Sequence, residues 1–149
     1  MNTFRESPLH FRLVSQASPA NSGENMPAWR SAVALADLSA LGKTGLKGPA
    51  AAAWLEGRGI PVPQQYNSWT DLQGGGLIAR LAVSEFFIED APGGTRASEV
   101  ARELESPVGG VWPVLRQDAG IALEGDRLAE LWAQICSFNF ADLGMDDRT

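Results

Sequence analysis

The strongest constraint on the fold is a piece of local grammar that the chain uses twice, at an offset of 77 residues. Residues Ala36–Leu55 (ADLSALGKTGLKGPAAAAWL) run from a strand-like stretch, Leu38 to Leu46, through Gly48-Pro49 into an Ala-rich helix. Glycine permits positive φ at such a turn. Proline at the first helical position has its φ pre-set and lacks only an amide that would be orphaned anyway. Leu115–Trp132 (LRQDAGIALEGDRLAELW) repeats the order, with Leu123 falling on Leu46, Gly125 on Gly48, Leu128 on Ala51, Leu131 on Trp54 and Trp132 on Leu55. Few of these matches are identities, so the pattern fits either an internal duplication or two independent strand–turn–helix units. Both predict an α+β fold: two related strand–helix units, at about 36–90 and 113–143, and a hairpin that joins them in one mixed, mainly antiparallel sheet with helices packed on one face.

Between the repeats the punctuation is clear. Gly57 and Gly59 should stop the first helix, and the prolines of Gly59–Ser68 (GIPVPQQYNS) keep that stretch extended. In Gly74–Glu89 (GGGLIARLAVSEFFIE) two apolar runs flank Ala82–Glu85, which predicts a hairpin with Ser84 near its turn. Leu77, Ala79 and Leu81 form a wholly apolar face there, and Ile78, Arg80 and Ala82 a mixed one. Ala97, Val100, Ala101 and Leu104 fall at helical spacing, before Pro107. In the second repeat Leu115, Ala119, Ile121 and Leu123 alternate with polar residues as a half-buried strand should. Asp126 is placed to cap a helix whose apolar stripe is Leu128, Leu131, Trp132 and Ile135. Leu9, Phe11 and Leu13 suggest an edge strand, residues 15–27 a loop, Trp29–Ala36 a short helix or a lead into the first repeat, and Ser137–Leu143 a possible closing strand.

Length and composition fit one domain over residues 1–149, with 44% hydrophobic and 20% charged residues. The net charge of −6 argues against nucleic acid as the main partner, because phosphate binding needs clustered Lys and Arg. No window reaches membrane-spanning length and no apolar leader opens the chain, so the expected location is cytoplasmic. The single cysteine, Cys136, agrees with a reducing compartment and reads as a small buried thiol.

No catalytic constellation emerges from residue type and spacing. Gly42-Lys43-Thr44 imitates the end of a phosphate-binding loop, but Asp37 stands where that pattern needs Gly, and Lys43 sits in a strand-like run. Gly74–Gly76 offers backbone amides to an anion, though a plain loop before a strand explains it equally well. One His (His10) and one Cys are too few for a zinc site, and His10 is a poor member of any Ser-His-Asp triad. Asp37, Glu85, Glu89, Asp90 and Asp118 are the carboxylates near predicted strand ends; each is more simply a solvated or capping group than an acid or base.

Three stretches carry a family likeness: SPLHFRLV, ADLSALGKTGLKGPAAAAWL and GGGLIARLAVSEFFIEDA. They resemble the folate-binding domain of the aminomethyltransferase (glycine-cleavage T-protein) superfamily, whose pattern includes D-L-S-H-M/L-G-K/R-x-x-V-x-G-P-D-A, then G-G-x-x-D-D, then a hairpin ending near Asn-Ala. The closing LRQDAGIALEGDRLAELWAQICSFNFADL resembles the gamma subunit of heterotetrameric sarcosine oxidase, a small member of that superfamily. The likeness spans most of residues 7–143. Against the pattern, Ala79 and Arg80 stand where the active enzymes have Asp-Asp, Ala40 stands for His, and Asp90 for a frequent Asn.

The resemblance therefore implies a non-catalytic accessory subunit that stabilises a flavin-dependent N-methyl amine (sarcosine-type) oxidase or dehydrogenase. Its expected partners are larger flavoprotein subunits, or a second copy through the incomplete second repeat, with no nucleic acid, membrane or metal involved. An alternative is a small tetrahydrofolate-binding protein of one-carbon metabolism. Asp37, Ser39, Arg80 and Asp90 are its candidate pocket residues, and Trp54, Trp69, Trp112 or Trp132 its stacking faces, although Trp54 and Trp132 have core-like helical spacing. A stand-alone aminomethyltransferase is the poorest reading, because the acid pair is replaced.

Overall fold

Gly48 and Gly125 hold φ of 132° and 145°, and each turns a short strand into a helix. The computed structural model describes residues 33–138. In the first copy β2 (Lys43–Lys47) leads through Gly48 to α1 (Ala51–Glu56), and in the second β7 (Ile121–Glu124) leads through Gly125 to α3 (Leu128–Ile135). The backbone bonds repeat in register: Ala51 N–H donates to Gly48 O and Leu128 N–H to Gly125 O, then Trp54 to Ala50 and Leu131 to Arg127. Both helix starts obey the 77-residue offset read from the sequence.

The remaining elements are β1 (Ala34–Asp37), β3 (Ser68–Asp71), β4 (Gly76–Ala82), β5 (Glu85–Asp90), α2 (Arg96–Glu103) and β6 (Trp112–Val114). The fold is α+β, and every strand pair is antiparallel. The strands are divided between two sheets rather than joined in one: a five-stranded sheet ordered β3-β4-β5-β2-β6 and a two-stranded sheet of β1 and β7. The long run Leu38–Leu46 is broken accordingly, because Asp37 Oδ1 accepts the Ser39 N–H at 2.9 Å and closes a turn there. The chain falls into two compact units, whose described residues are 33–40 with 119–138, and 41–118.

In the second unit, register explains the core. Leu46 lies opposite Phe86, Thr44 opposite Ile88, and Ile88 opposite Ile78, so these side chains share one face of the sheet. They pack with Ala51, Trp54 and Leu55 of α1 and with Ala97 and Val100 of α2, each worth ~1.5–3 kcal/mol when a large apolar side chain is fully enclosed. The hairpin turns at Val83-Ser84, as its sequence suggests. Its inward face is the mixed one, with Ile78 and Arg80. Ile78 is fully buried whereas Leu81 is 40% exposed, because the inward row continues into Arg80, whose guanidinium lies 5.6 Å over the Phe86 ring. Leu81 follows on the outward face by alternation, and a register shift between Arg80 and Ala82 interrupts the pairing near the hairpin end.

The second repeat departs further from expectation. Leu115–Ala119 forms no strand and Leu115, at the end of the second unit, is 75% exposed, so alternation is an incomplete guide where no strand pairs alongside. Arg127, not Asp126, occupies the N-cap of α3 and makes no side-chain cap bond. The stripe Leu128, Leu131 and Trp132 is half-buried, Ile135 is exposed, and no residue of α3 is fully buried. Cys136 is half-buried at the end of that helix. Trp29–Ala36 resolves in part: residues 34–36 belong to β1, and 29–32 lie outside the described residues. The expected edge strand at 9–13, the loop at 15–27 and all but Ser137 and Phe138 of the closing run also lie outside them; those two residues are not in a strand. Among the described residues no helix is long and apolar enough to cross a membrane.

Candidate functional site

β5 ends on its inward-facing side with a carboxylate. Phe86, Ile88 and Asp90 alternate onto the core face, and Asp90 is only 2% exposed. Its backbone N–H donates to Gly42 O at 2.9 Å, which extends the β2–β5 pairing by one step. Its Oδ1 accepts the Ala97 N–H at 3.0 Å, in the first turn of α2. Thr95 occupies the N-cap but makes no side-chain cap bond, since its hydroxyl donates to Glu99 Oε1 at 2.9 Å. Asp90 thus supplies from a neighbouring strand the acceptor that a helix start requires, and its negative charge is favoured by the helix dipole.

The space for this carboxylate is made by glycine. A Cβ on Gly42 would collide with Oδ2, and the carboxyl carbon lies 3.3 Å from the Cβ positions of both Gly42 and Gly94. Gly76, opposite Asp90 in the β4–β5 register, has φ of 94° and likewise no room for a side chain against Glu89 O. Asp90 Oδ2 has no hydrogen-bond partner. Beside it opens a cavity of about 240 Å³, lined among others by Gly74, Gly75, Asp90, Gly94, Thr95 and Glu99. Arg96, on the same rim, is paired with Glu99 at 3.2 Å. Of the ionisable residues on the cavity wall, Arg96 and Glu99 match each other's charge.

Arg80, in the same unit, does not converge on it. Arg80 lies opposite Phe86, four residues before Asp90 on β5, or ~13 Å away at strand rise. Its guanidinium donates to four carbonyls, those of Pro63, Gln64, Ala82 and Val83, and so ties the hairpin end to the extended segment. Asp37 and Ser39 belong to the other unit, where Ser39 Oγ accepts the Gly120 N–H at 3.2 Å and Leu38 N–H donates to Gly120 O at 2.7 Å. Both serve the β1–β7 connection.

The remaining sequence motifs are absorbed by the scaffold. Lys43 sits on β2 and pairs with Glu89 at 3.1 Å. Glu85 pairs with Arg116 at 3.1 Å, and Asp118 is exposed. Gly74–Gly76 is a tight turn in which all three residues have positive φ, closed by Gly75 N–H to Leu72 O. Trp54 is buried, with the Arg58 guanidinium 3.6 Å over its ring, Trp69 and Trp132 are half-buried, and Trp112 is 53% exposed. Sequence reasoning missed Gly42 and Gly94. The run Asp90-Ala91-Pro92-Gly93-Gly94-Thr95 before an amphipathic helix was the available signal, a carboxylate and a glycine turn leading into a helix start. No three acidic, His or Cys side chains among the described residues cluster as a metal site would require.

Compared with known proteins, the sequence matches no family model and no curated protein.

Proposed function

We propose that this chain is a non-catalytic accessory subunit, of the kind its sequence resembles, that binds and stabilises larger subunits of a flavin-dependent N-methyl amine oxidase or dehydrogenase. The observation that carries the reading is the state of Ala79 and Arg80, the positions where the resemblance implies an acid pair. Ala79 has no ionisable group, and Arg80 spends its guanidinium on four backbone carbonyls. Where the resemblance implies an acid pair, this chain has a structural pin.

Support for a partner comes from exposed apolar side chains: Ile135 is 61% exposed at the end of an apolar helix, and Leu35 and Ile121 of the same unit are 52% and 48% exposed. Large exposed hydrophobics are common at interfaces.

The test is isolation of the endogenous protein under mild conditions, with visible absorbance and subunit identification. Larger subunits carrying flavin should accompany it. Recovery without any flavoprotein contradicts the proposal. Titration of the isolated chain with tetrahydrofolate, read by tryptophan fluorescence, addresses the alternative: a saturable change would favour a folate-binding protein.

A further inference from the structure

We propose that the open edge of β7 is where two copies of this chain pair, β7 against β7, about a two-fold axis. The pairing stands apart from the accessory-subunit reading and follows from the two strand–Gly–helix copies. Backbone groups of an antiparallel strand point alternately to its two sides. In the first copy Asp90 N–H donates to Gly42 O and Gly48 N–H to Ser84 O, both in the β2–β5 register. Thr44 and Leu46 therefore bond β5, and Gly45 and Lys47 turn to β6. In the second copy Leu38 N–H donates to Gly120 O in the β1–β7 register, so Ala122 and Glu124 bond β1.

The 77-residue offset sets Ala122 and Glu124 on Gly45 and Lys47, and Ile121 and Leu123 on Thr44 and Leu46. β1 thus stands where β6 stands in the first copy, and β5 has no counterpart among the described residues. The N–H and C=O groups of Ile121 and Leu123 point to that side and find no partner among the described residues. Thr44 and Leu46 are buried, whereas Ile121 is 48% exposed. No apolar side chain is buried among the described residues of the second copy's unit. A two-stranded sheet is marginal by itself, and unpaired edge amides are a template for another strand. The outer edge of β6 is blunted, because the residue that turns to it is Pro113, which has no N–H. β7 carries neither proline nor lysine.

The edge calls for an antiparallel strand with apolar residues at alternate positions, as Phe86 and Ile88 are on β5. β7 meets that specification itself. Centred on Ala122, pairing with a second copy sets Ile121 opposite Leu123 on one face and Ala122 opposite Ala122 on the other. Glu124 then falls opposite Gly120, so no like charges meet across the pair. The product is a four-stranded sheet, β1-β7-β7-β1, closed by a self-complementary interface.

This register is read directly by disulfide trapping. Opposite residues of a non-hydrogen-bonded antiparallel pair have Cα atoms about 4.5 Å apart, within the roughly 4.4–6.8 Å that a disulfide spans. In the full-length chain carrying Cys136→Ser, Ala122→Cys should cross-link to a dimer under mild oxidation. Glu124→Cys, ~13 Å along the strands from its copy, should not. Sedimentation of the unsubstituted chain should show a monomer–dimer equilibrium. Ile121→Lys, at an exposed position, should weaken it roughly tenfold or more by placing a charge on the pairing face. Val83→Lys, exposed on the hairpin of the other unit, should leave it unchanged. Protection of the Ile121 and Leu123 amides from hydrogen exchange should rise with protein concentration. A chain that stays monomeric into the millimolar range overturns the proposal. So does equal cross-linking at the two cysteines, or a dimer unchanged by Ile121→Lys in which both amides exchange freely.

Discussion

Asp90 Oδ1 accepts the Ala97 N–H at 3.0 Å, so the first turn of α2 is capped from the end of β5 across seven residues of chain. The capping group and the N-cap residue are different residues, and they should respond differently to substitution. Asp90→Ala removes the acceptor from a buried helix start and should cost about 1–2 kcal/mol. Thr95→Ala removes only an exposed contact to Glu99 and should cost under about 0.5 kcal/mol. Urea unfolding of both variants measures the contrast; equal losses would place the cap at Thr95.

Gly42 and Asp90 form a second pair. A methyl group on Gly42 meets Oδ2 head on, and Gly42→Ala should destabilise by about 1–3 kcal/mol through overpacking. The same methyl should cost less in an Asp90→Ala background, because the obstacle is gone. A double-mutant cycle should therefore show coupling of roughly 0.5 kcal/mol or more. Gly109→Ala, where a Cβ has no neighbour within 4 Å, is the control.

Arg80 joins the hairpin end to Pro63 and Gln64 through a planar fork. Lysine carries the charge but cannot serve those directions together, so Arg80→Lys should lose about 1–3 kcal/mol and resemble Arg80→Ala. Chemical denaturation tests this. Full rescue by Lys would mean that charge, rather than geometry, is what matters there.

At the start of α3 the hydrogen bond and charge of Arg127 hold the Glu130 carboxyl below its ordinary value of 4.5. A carboxylate whose folded-state value is depressed adds stability above its unfolded value and loses it as pH falls through the folded one. Acidification below pH 4.5 should thus loosen the first turn of α3, seen as faster exchange of the Leu131 N–H that bonds Arg127 O. Both groups are solvent-exposed, so the effect should be small, screened by salt and absent in Glu130→Gln.

These pairs also mark how far residue order alone leads. The strand–Gly–helix units were legible because Gly48 and Gly125 need a conformation that other residues resist, and the hairpin because two apolar runs meet at Val83-Ser84. The inward face of β4 was not. Arg80 looks like a surface residue by type, and only the carbonyls it meets, far off in sequence, make it an inward one. Asp90 was one carboxylate among several until the strand register put it on the core face between Gly42 and Gly94. Periodicity reports which face is apolar; it does not report which polar side chain has found partners for every donor.

The proposed role, a scaffold lent to a larger assembly, is tested most directly by native mass spectrometry of the endogenous protein. The predicted result is an assembly that contains this chain together with larger subunits and releases flavin on dissociation. A single species with the mass of the 149-residue chain alone would contradict it.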